Sequence, residues 1–107
     1  MSNKFMRILV FFDLPVVKKK ERKIYSQFRR FLLNDGYDMI QYSVYSRLCN
    51  GTDMTNKHLK RLNTILPEKG SVRCLTITEK QYEEMKFLVG KPSVKEKRVN
   101  CNQLSLF

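Results

Sequence analysis

The feature that most constrains the fold is a continuous apolar run near the start of the chain, Ile8–Phe12. Because it is aliphatic or aromatic without polar alternation, the run predicts a strand that is buried on both faces of its sheet. Asp13 follows directly, and Pro15 ends the strand. A chain with such a strand needs a covering layer on each side of the sheet.

Helical and strand periodicities follow this strand in turn. Apolar residues at helical spacing predict a first helix from about Val17 to Asn34, which ends at Asp35-Gly36. Alternating apolar and polar residues from Tyr37 to Leu48 predict a strand or a bent strand pair.

The second half of the chain continues with a helix, a strand and a short helix. A helix capped by Thr52 or Asp53 is expected to reach about Leu66, and Val72–Thr78 is rich in strand-forming residues. Thr78 and Gln81 fit a capping box, which predicts a short helix to about Phe87.

This order predicts an α+β fold, a ferredoxin-like βαββαβ sandwich with its helices on one face of the sheet. We expect this domain to span residues 1–90, followed by a charged linker and a C-terminal extension strand or tail over 91–107. The face without helices then needs a cover, and the simplest one is the sheet of a second copy in a homodimer.

Composition narrows the function. The 107 residues include 21 Lys and Arg against 10 Asp and Glu, a formal net charge of +11. With 42% apolar residues the chain can form a core, so we expect one small basic domain that binds nucleic acid. The cysteine pattern implies no disulfide framework, and the apolar run is too short to span a membrane, so a cytoplasmic location without membrane contact is expected.

Most of the uncompensated charge lies in the first helix and just before it. Glu21 is the single acid among seven basic residues there, namely Lys18, Lys19, Lys20, Arg22, Lys23, Arg29 and Arg30. Charge runs are usually solvated surface, but so little compensation favours contact with phosphates. Nothing in the segment specifies bases.

Asp13 lies at the carboxyl end of the buried strand, where open sheets commonly build sites. An Asx turn that starts the following loop is the simpler interpretation. One carboxylate rarely holds Mg²⁺, whereas two Asp13 side chains brought together by a two-fold axis can share one hydrated ion. The metal interpretation therefore depends on the homodimer.

Two further candidates lie on the polar side of the second strand, Tyr45 and Arg47. Either they contact nucleic acid, through base stacking or a phosphate, or they lie in an interface between two sheets. His58 is expected on the surface of the second helix, and no nucleophile motif accompanies it.

Three segments stand out, namely Ile8–Asp13, Phe31–Tyr37 and Ile40–Tyr45. Together they resemble the Cas-two family of CRISPR-associated adaptation proteins, and their order and spacing make the resemblance specific. The similarity spans about residues 5 to 90. It is greatest to members that accompany type II systems, on stretches that include Gln41–Ser46 and Leu75–Gln81.

The resemblance implies a homodimer that bridges two dimers of the spacer integrase and holds double-stranded protospacer DNA along its basic surface. It also implies that Asp13 is the metal ligand at the dimer interface, with Mg²⁺ as its cofactor. In the family the terminal strand reaches a partner subunit, while docking on its own sheet is the simpler alternative. We expect the dimer interface to include Phe12, Gln41, Ser43 and Tyr45.

Family members are also described as metal-dependent endonucleases on RNA or DNA. The alternative function is therefore a Mg²⁺-dependent phosphodiesterase that uses Asp13, and a small RNA-binding protein is a third candidate. Archetypal members carry an arginine where this chain has Met39, and the basic positions after the aspartate fall near Lys20 and Arg22. These differences weaken the case for catalysis more than the case for DNA binding, so the scaffold role is favoured.

Overall fold

A computed structural model describes residues 4–91 of the chain. Its elements, in chain order, are β1 (Phe5–Asp13), α1 (Lys19–Asn34), β2 (Asp38–Gln41), β3 (Val44–Asn50), α2 (Thr52–Asn63), β4 (Ser71–Thr78) and α3 (Glu79–Glu83). The four strands form one antiparallel sheet in the order β2-β3-β1-β4. This is the ferredoxin-like arrangement, so the predicted fold class is confirmed. The predicted C-terminal strand lies outside the described residues.

β1 is a central strand, as predicted, and its helix-facing side forms the middle of the core. Ile8, Val10 and Phe12 are buried there in one cluster with Phe28 and Leu32 of α1. The rings of Phe12 and Phe28 meet edge to face, with centroids 5.0 Å apart. The same aromatic and aliphatic residues therefore define both the strand and the surface on which α1 packs.

The other face of β1 is covered only in part. Arg7 and Leu9 are buried, and Arg7 lies beneath α3, where it pairs with Glu79 and stands 4.2 Å from the centre of the Tyr82 ring. Phe11, further along the same face, is 37% exposed. Burial on both faces thus holds for the first half of the predicted strand and fails at Phe11, where no element of the described chain covers it.

The helix ends follow the local signals, with three corrections, of which the first is that Gly51, not Thr52 or Asp53, is the N-cap of α2. α1 ends at Asp35-Gly36 as predicted, and Thr78 and Gln81 form the predicted capping box, with bonds of 2.9 and 3.1 Å. α2 ends at Asn63 rather than Leu66, because its last turn tightens into bonds between residues three apart. The short α3 ends at Glu83, before the predicted Phe87.

The alternating segment after α1 is a bent strand pair. β2 and β3 are joined by a tight turn at Tyr42-Ser43, where Ser43 has a positive φ of 60°. In the ladder of β1 with β3, Tyr45 lies opposite Val10 and Arg47 opposite Ile8. Because residues opposite each other share a face, Tyr45 and Arg47 lie on the helix side of the sheet.

Candidate nucleic-acid interface

The predicted basic surface is present on α1 and at its N-terminus. All seven basic side chains between Lys18 and Arg30 are exposed. Within residues 4–91 Glu21 forms no ion pair with them; its carboxylate accepts a hydrogen bond of 2.9 Å from the backbone N–H of Lys18 and caps the helix. The chain therefore presents a row of cations about as long as α1.

Arg22 also shapes the loop that leads into this row. Its guanidinium donates to the carbonyl oxygens of Val16 and Val17, at 3.3 and 2.5 Å. These bonds tie the first turn of α1 to the segment after β1. The cations at the start of the helix are thus held on an ordered support.

Asp13 ends β1, opposite Ser71 of β4, and its side chain is exposed. Alternation along the strand places it on the same face as Phe11, away from α1. Within residues 4–91 its carboxylate has no hydrogen bond or ion pair. The same residues contain no group of three or more His, Cys, Asp or Glu side chains that could hold a metal ion. A metal at Asp13 would therefore need ligands from outside this part of the chain.

Gly70 fixes the backbone at Asp13. It has a φ of +91°, and a β-carbon on it would lie 2.6 Å from the Asp13 carbonyl oxygen and 2.8 Å from Leu14 Cδ2. Such distances exclude any side chain. The loop before β4 thus packs directly on the end of β1 because residue 70 is glycine.

Two residues predicted at the dimer interface are buried inside the subunit instead. Phe12 is 6% exposed and Tyr45 is fully buried, with their rings stacked at 5.6 Å. Burial raises the pKa of Tyr45, and nearby Arg29 lowers it in part. These two side chains cannot reach a second copy or a base without unpacking the core, which corrects their predicted exposure.

Arg47, predicted to bind a phosphate, is engaged within the subunit. Its Nε donates to the carbonyl oxygen of Asp35 at 2.9 Å, and its terminal nitrogen donates to that of Leu48 at 2.7 Å. The guanidinium lies against Gly36, whose φ is +95°. A β-carbon on Gly36 would lie only 3.0 Å from a terminal nitrogen of Arg47, so the absence of a side chain there leaves room for the guanidinium. Arg47 was expected to face outward because it is charged, but its guanidinium instead donates to a carbonyl oxygen at the C-terminus of α1.

The other two predicted interface residues are accessible. Gln41 is exposed and Ser43 is half-buried, both at the turn between β2 and β3. The structure places Ser43 beside both α1 and the end of β1, since its hydroxyl pairs with that of Tyr25 at 3.2 Å and its carbonyl oxygen accepts from the Phe12 N–H at 3.0 Å. Their contact with a second copy stays a prediction.

His58 is buried, contrary to the surface position predicted for it. Its Nδ1 lies 2.8 Å from Asp35 Oδ2, and Arg61 donates to Asp35 Oδ1 at 2.7 Å. Burial alone would raise the pKa of Asp35, but the hydrogen bonds and charges of His58 and Arg61 outweigh it and lower that pKa. This cluster joins the end of α1 to α2 and is structural.

An aromatic pair at the turn has no counterpart among the predicted site residues. Tyr42 is 73% exposed and its ring stacks on that of Tyr25, with centroids 6.1 Å apart and planes at 19°. A hydrogen bond with Tyr25 raises the pKa of Tyr42. Sequence reasoning would have identified Tyr42 as exposed if a turn had been predicted there, because turn tips carry exposed side chains.

Comparison with known proteins identifies the family. The family model for CRISPR associated protein Cas2 matches residues 6–85. This chain belongs to the Cas2 family. The resemblance to this family that the sequence interpretation stated is thereby confirmed.

Curated relatives carry the same name. The "CRISPR-associated endoribonuclease Cas2" of Acidovorax ebreus (strain TPSY) is 64% identical over 102 residues, which cover 95% of this chain and 100% of that protein. Those of Campylobacter jejuni and Ligilactobacillus salivarius are 44% and 50% identical, over 99% and 87% of this chain and 74% and 91% of their own lengths. Among residues 4–91, no helix has the length and apolar character needed to cross a membrane.

Proposed function

We propose that this Cas2-family protein is a subunit of the CRISPR adaptation complex, in which its homodimer bridges integrase dimers and binds protospacer duplex DNA through the phosphate backbone. The observation that carries the proposal is the exposed cationic row of α1, whose single acid is used as a helix cap. Such a row neutralises phosphates without reading bases.

The open part of the sheet supports the homodimer. Phe11 and Leu75 are 37% and 52% exposed, and alternation with the β1–β4 register, in which Leu75 lies opposite Leu9, places both on the face opposite α1. A patch of large apolar side chains on so small a domain favours a further layer. A second copy would cover it and would bring a second cationic row, related to the first by the two-fold axis.

Salt dependence of DNA binding tests the cationic row. We expect a steep slope of the logarithm of affinity against the logarithm of salt concentration, and equal affinity for natural and scrambled duplexes. The double variant Lys19→Ala/Lys23→Ala reduces that slope by about 0.9 for each phosphate that these two lysines neutralise. The matched control is Lys57→Ala/Lys60→Ala, which removes two exposed lysines from α2. Equal slopes for the two double variants, or strong preference for one sequence, would contradict the proposal.

Co-purification tests the bridging role. The protein is expected to elute as a dimer and to bind an integrase dimer, with a further shift in size when duplex DNA is added. A strict monomer that retains neither integrase nor DNA would overturn the proposal.

A second candidate function is a Mg²⁺-dependent phosphodiesterase centred on Asp13. Its support is the exposed carboxylate at the end of a central strand, which is unpaired within residues 4–91, together with the word endoribonuclease in the relatives' names. One carboxylate from each of two copies fits Mg²⁺, which keeps several waters and needs few protein ligands. When bound, the metal would supply an activated water for attack on phosphorus.

The variant Asp13→Asn separates the two functions. For the phosphodiesterase, cleavage and Mg²⁺ binding measured by calorimetry both collapse, while the dimer and its DNA affinity survive. For the scaffold alone, DNA affinity is retained and wild-type protein shows no cleavage to lose. Undiminished cleavage by the variant would rule out Asp13 as the source of the activity.

A further inference from the structure

The open face of β1 and β4 carries one anion and one cation that have no partner. Phe11 lies opposite Arg73, and Asp13 lies opposite Ser71, in the ladder that joins the two strands. Because opposite residues share a face, Arg73 and Asp13 stand on the side away from α1, two residues apart along the ladder. Both side chains are exposed. Within residues 4–91 neither forms a hydrogen bond or an ion pair.

The other charged residue that these two strands place on the open face is already neutralised. It is Arg7, whose guanidinium donates two hydrogen bonds to the Glu79 carboxylate beneath α3. The neighbours of the unpaired carboxylate and guanidinium are large and apolar, with Phe11 on β1 and Leu75 on β4. A layer that covers Phe11 and Leu75 would therefore cover the two unpaired charges as well.

Charge decides what such a layer can be. A charge that leaves water without an opposite partner destabilises a complex strongly, whereas a hydrogen-bonded ion pair offsets that cost. Two-fold symmetry supplies the pair, because an interface that brings one residue onto a second residue of the other copy also makes the reverse contact. The face is therefore complementary to itself, since its carboxylate meets the guanidinium of a second copy.

We propose that Asp13 and Arg73 form reciprocal ion pairs across the homodimer, each carboxylate with the guanidinium of the other copy. This inference rests on the proposed function, which requires the homodimer, and adds contacts that hold its two copies together. A planar guanidinium donates to both oxygens of a carboxylate, which favours one orientation of the copies. The cluster holds two anions and two cations, so its charges cancel and the dimer forms without a metal ion.

Charge reversal tests the pairing. Asp13→Lys and Arg73→Glu each place like charges together twice in the dimer, so each is expected to weaken dimerisation by about 100-fold. Lys57→Glu, which reverses the charge of an exposed lysine on α2, is the matched control and keeps the wild-type dissociation constant. Asp13→Asn stays dimeric, because its amide oxygen still accepts from the guanidinium. Sedimentation in EDTA measures the constants without a contribution from bound metal.

A mixture of the two reversed variants separates pairing between copies from pairing within one copy. In the mixed dimer the introduced lysine meets the introduced glutamate, and the native carboxylate meets the native guanidinium. Its dissociation constant is therefore expected within about 10-fold of wild type, and native mass spectrometry resolves it from the two homodimers. Asp13→Lys mixed with wild type is a second control, because that dimer keeps one repulsive contact and stays weaker.

Each outcome has a distinct meaning. Wild-type affinity in either reversed variant, or no relief in their mixture, would overturn the pairing while the homodimer stands. Equal affinity of Asp13→Lys for wild type and for Arg73→Glu would assign the effect to repulsion between the two Asp13 carboxylates and would also overturn it. If wild-type protein stayed monomeric, the proposed function and the pairing would fall together. Thermal unfolding checks each variant, and Asp13→Arg with Arg73→Asp makes the same exchange should one of the first pair unfold.

Discussion

Gly70 stands so close to Asp13 that a β-carbon on it would lie 2.6 Å from the Asp13 carbonyl oxygen. Asp13, the candidate metal ligand, is thus positioned by the loop between α2 and β4, through a contact that only glycine permits. The exposed carboxylate of Asp13 is held at the end of β1 by backbone packing, and its side chain stays free of partners within residues 4–91.

Gly70→Ala is therefore expected to lower the free energy of unfolding by about 3 kcal/mol, through a strained φ and a clash with backbone. The matched control is Gly51→Ala, because Gly51 has a similar φ of +88° but no atom of the described residues lies within 4 Å of the position a β-carbon would take. Its loss should be about 1 kcal/mol. Urea denaturation of the two variants measures the difference, and equal losses would show that the contact with Asp13 costs nothing.

The order of the elements could be predicted from the sequence because each was marked by local signals. The apolar run of β1, the Asp35-Gly36 stop and the Thr78 capping box all act over a few residues, and all are present in the structure. The sides of β3 could not be assigned from alternation alone. A turn at Tyr42-Ser43 interrupts the pattern, and the residue with positive φ there is a serine, which gives no glycine signal.

The misplaced site residues share one physical reason. The positions of Tyr45, Arg47 and His58 depend on contacts between residues far apart in the chain. His58 is buried because Asp35, 23 residues earlier, reaches it from the end of α1. A polar side chain in a helix gives no indication of such a distant partner. The basic side chains of α1, by contrast, were correctly predicted as exposed from their charge alone.

The ion pair beneath α3 is expected to contribute strongly to stability. Arg7 and Glu79 side chains are only 7% and 13% exposed, and the Glu79 carboxylate accepts two hydrogen bonds from the guanidinium. Glu79→Gln leaves a buried cation without its anion, so the free energy of unfolding should fall by about 3 kcal/mol. Arg61→Ala, which removes a partner that is 49% exposed, should cost about 1 kcal/mol or less. Denaturation at low and high salt checks both, and a small or strongly salt-dependent loss for Glu79→Gln would contradict a buried pair.

Asp35 gives the fold a defined acid sensitivity. Burial acts to raise its pKa, but His58 and Arg61 outweigh this and hold the pKa below its ordinary value. A carboxylate with a lowered pKa stabilises the folded state above the unfolded value and loses that contribution as the pH falls through the folded value. The stability gap between wild type and Asp35→Asn should therefore be largest near neutral pH and should close below about pH 4. Urea denaturation across this range measures the gap, and a gap independent of pH would show that ionised Asp35 is not the stabilising form.

The turn that carries Tyr42 offers a test in which two effects of one residue are separated. Ser43 has a φ of 60°, where a β-carbon is unfavourable, and its hydroxyl pairs with that of Tyr25. Both Ser43→Ala and Ser43→Gly remove the hydroxyl, but only Ser43→Gly relieves the backbone. We expect Ser43→Gly to unfold with a free energy about 1 kcal/mol higher than Ser43→Ala. Wild type should lie above Ser43→Ala by about 1 kcal/mol, the value of the missing hydrogen bond. If the two variants were equally stable, the turn would be free of strain, and the placement of Tyr42 would rest on its stacking with Tyr25 alone.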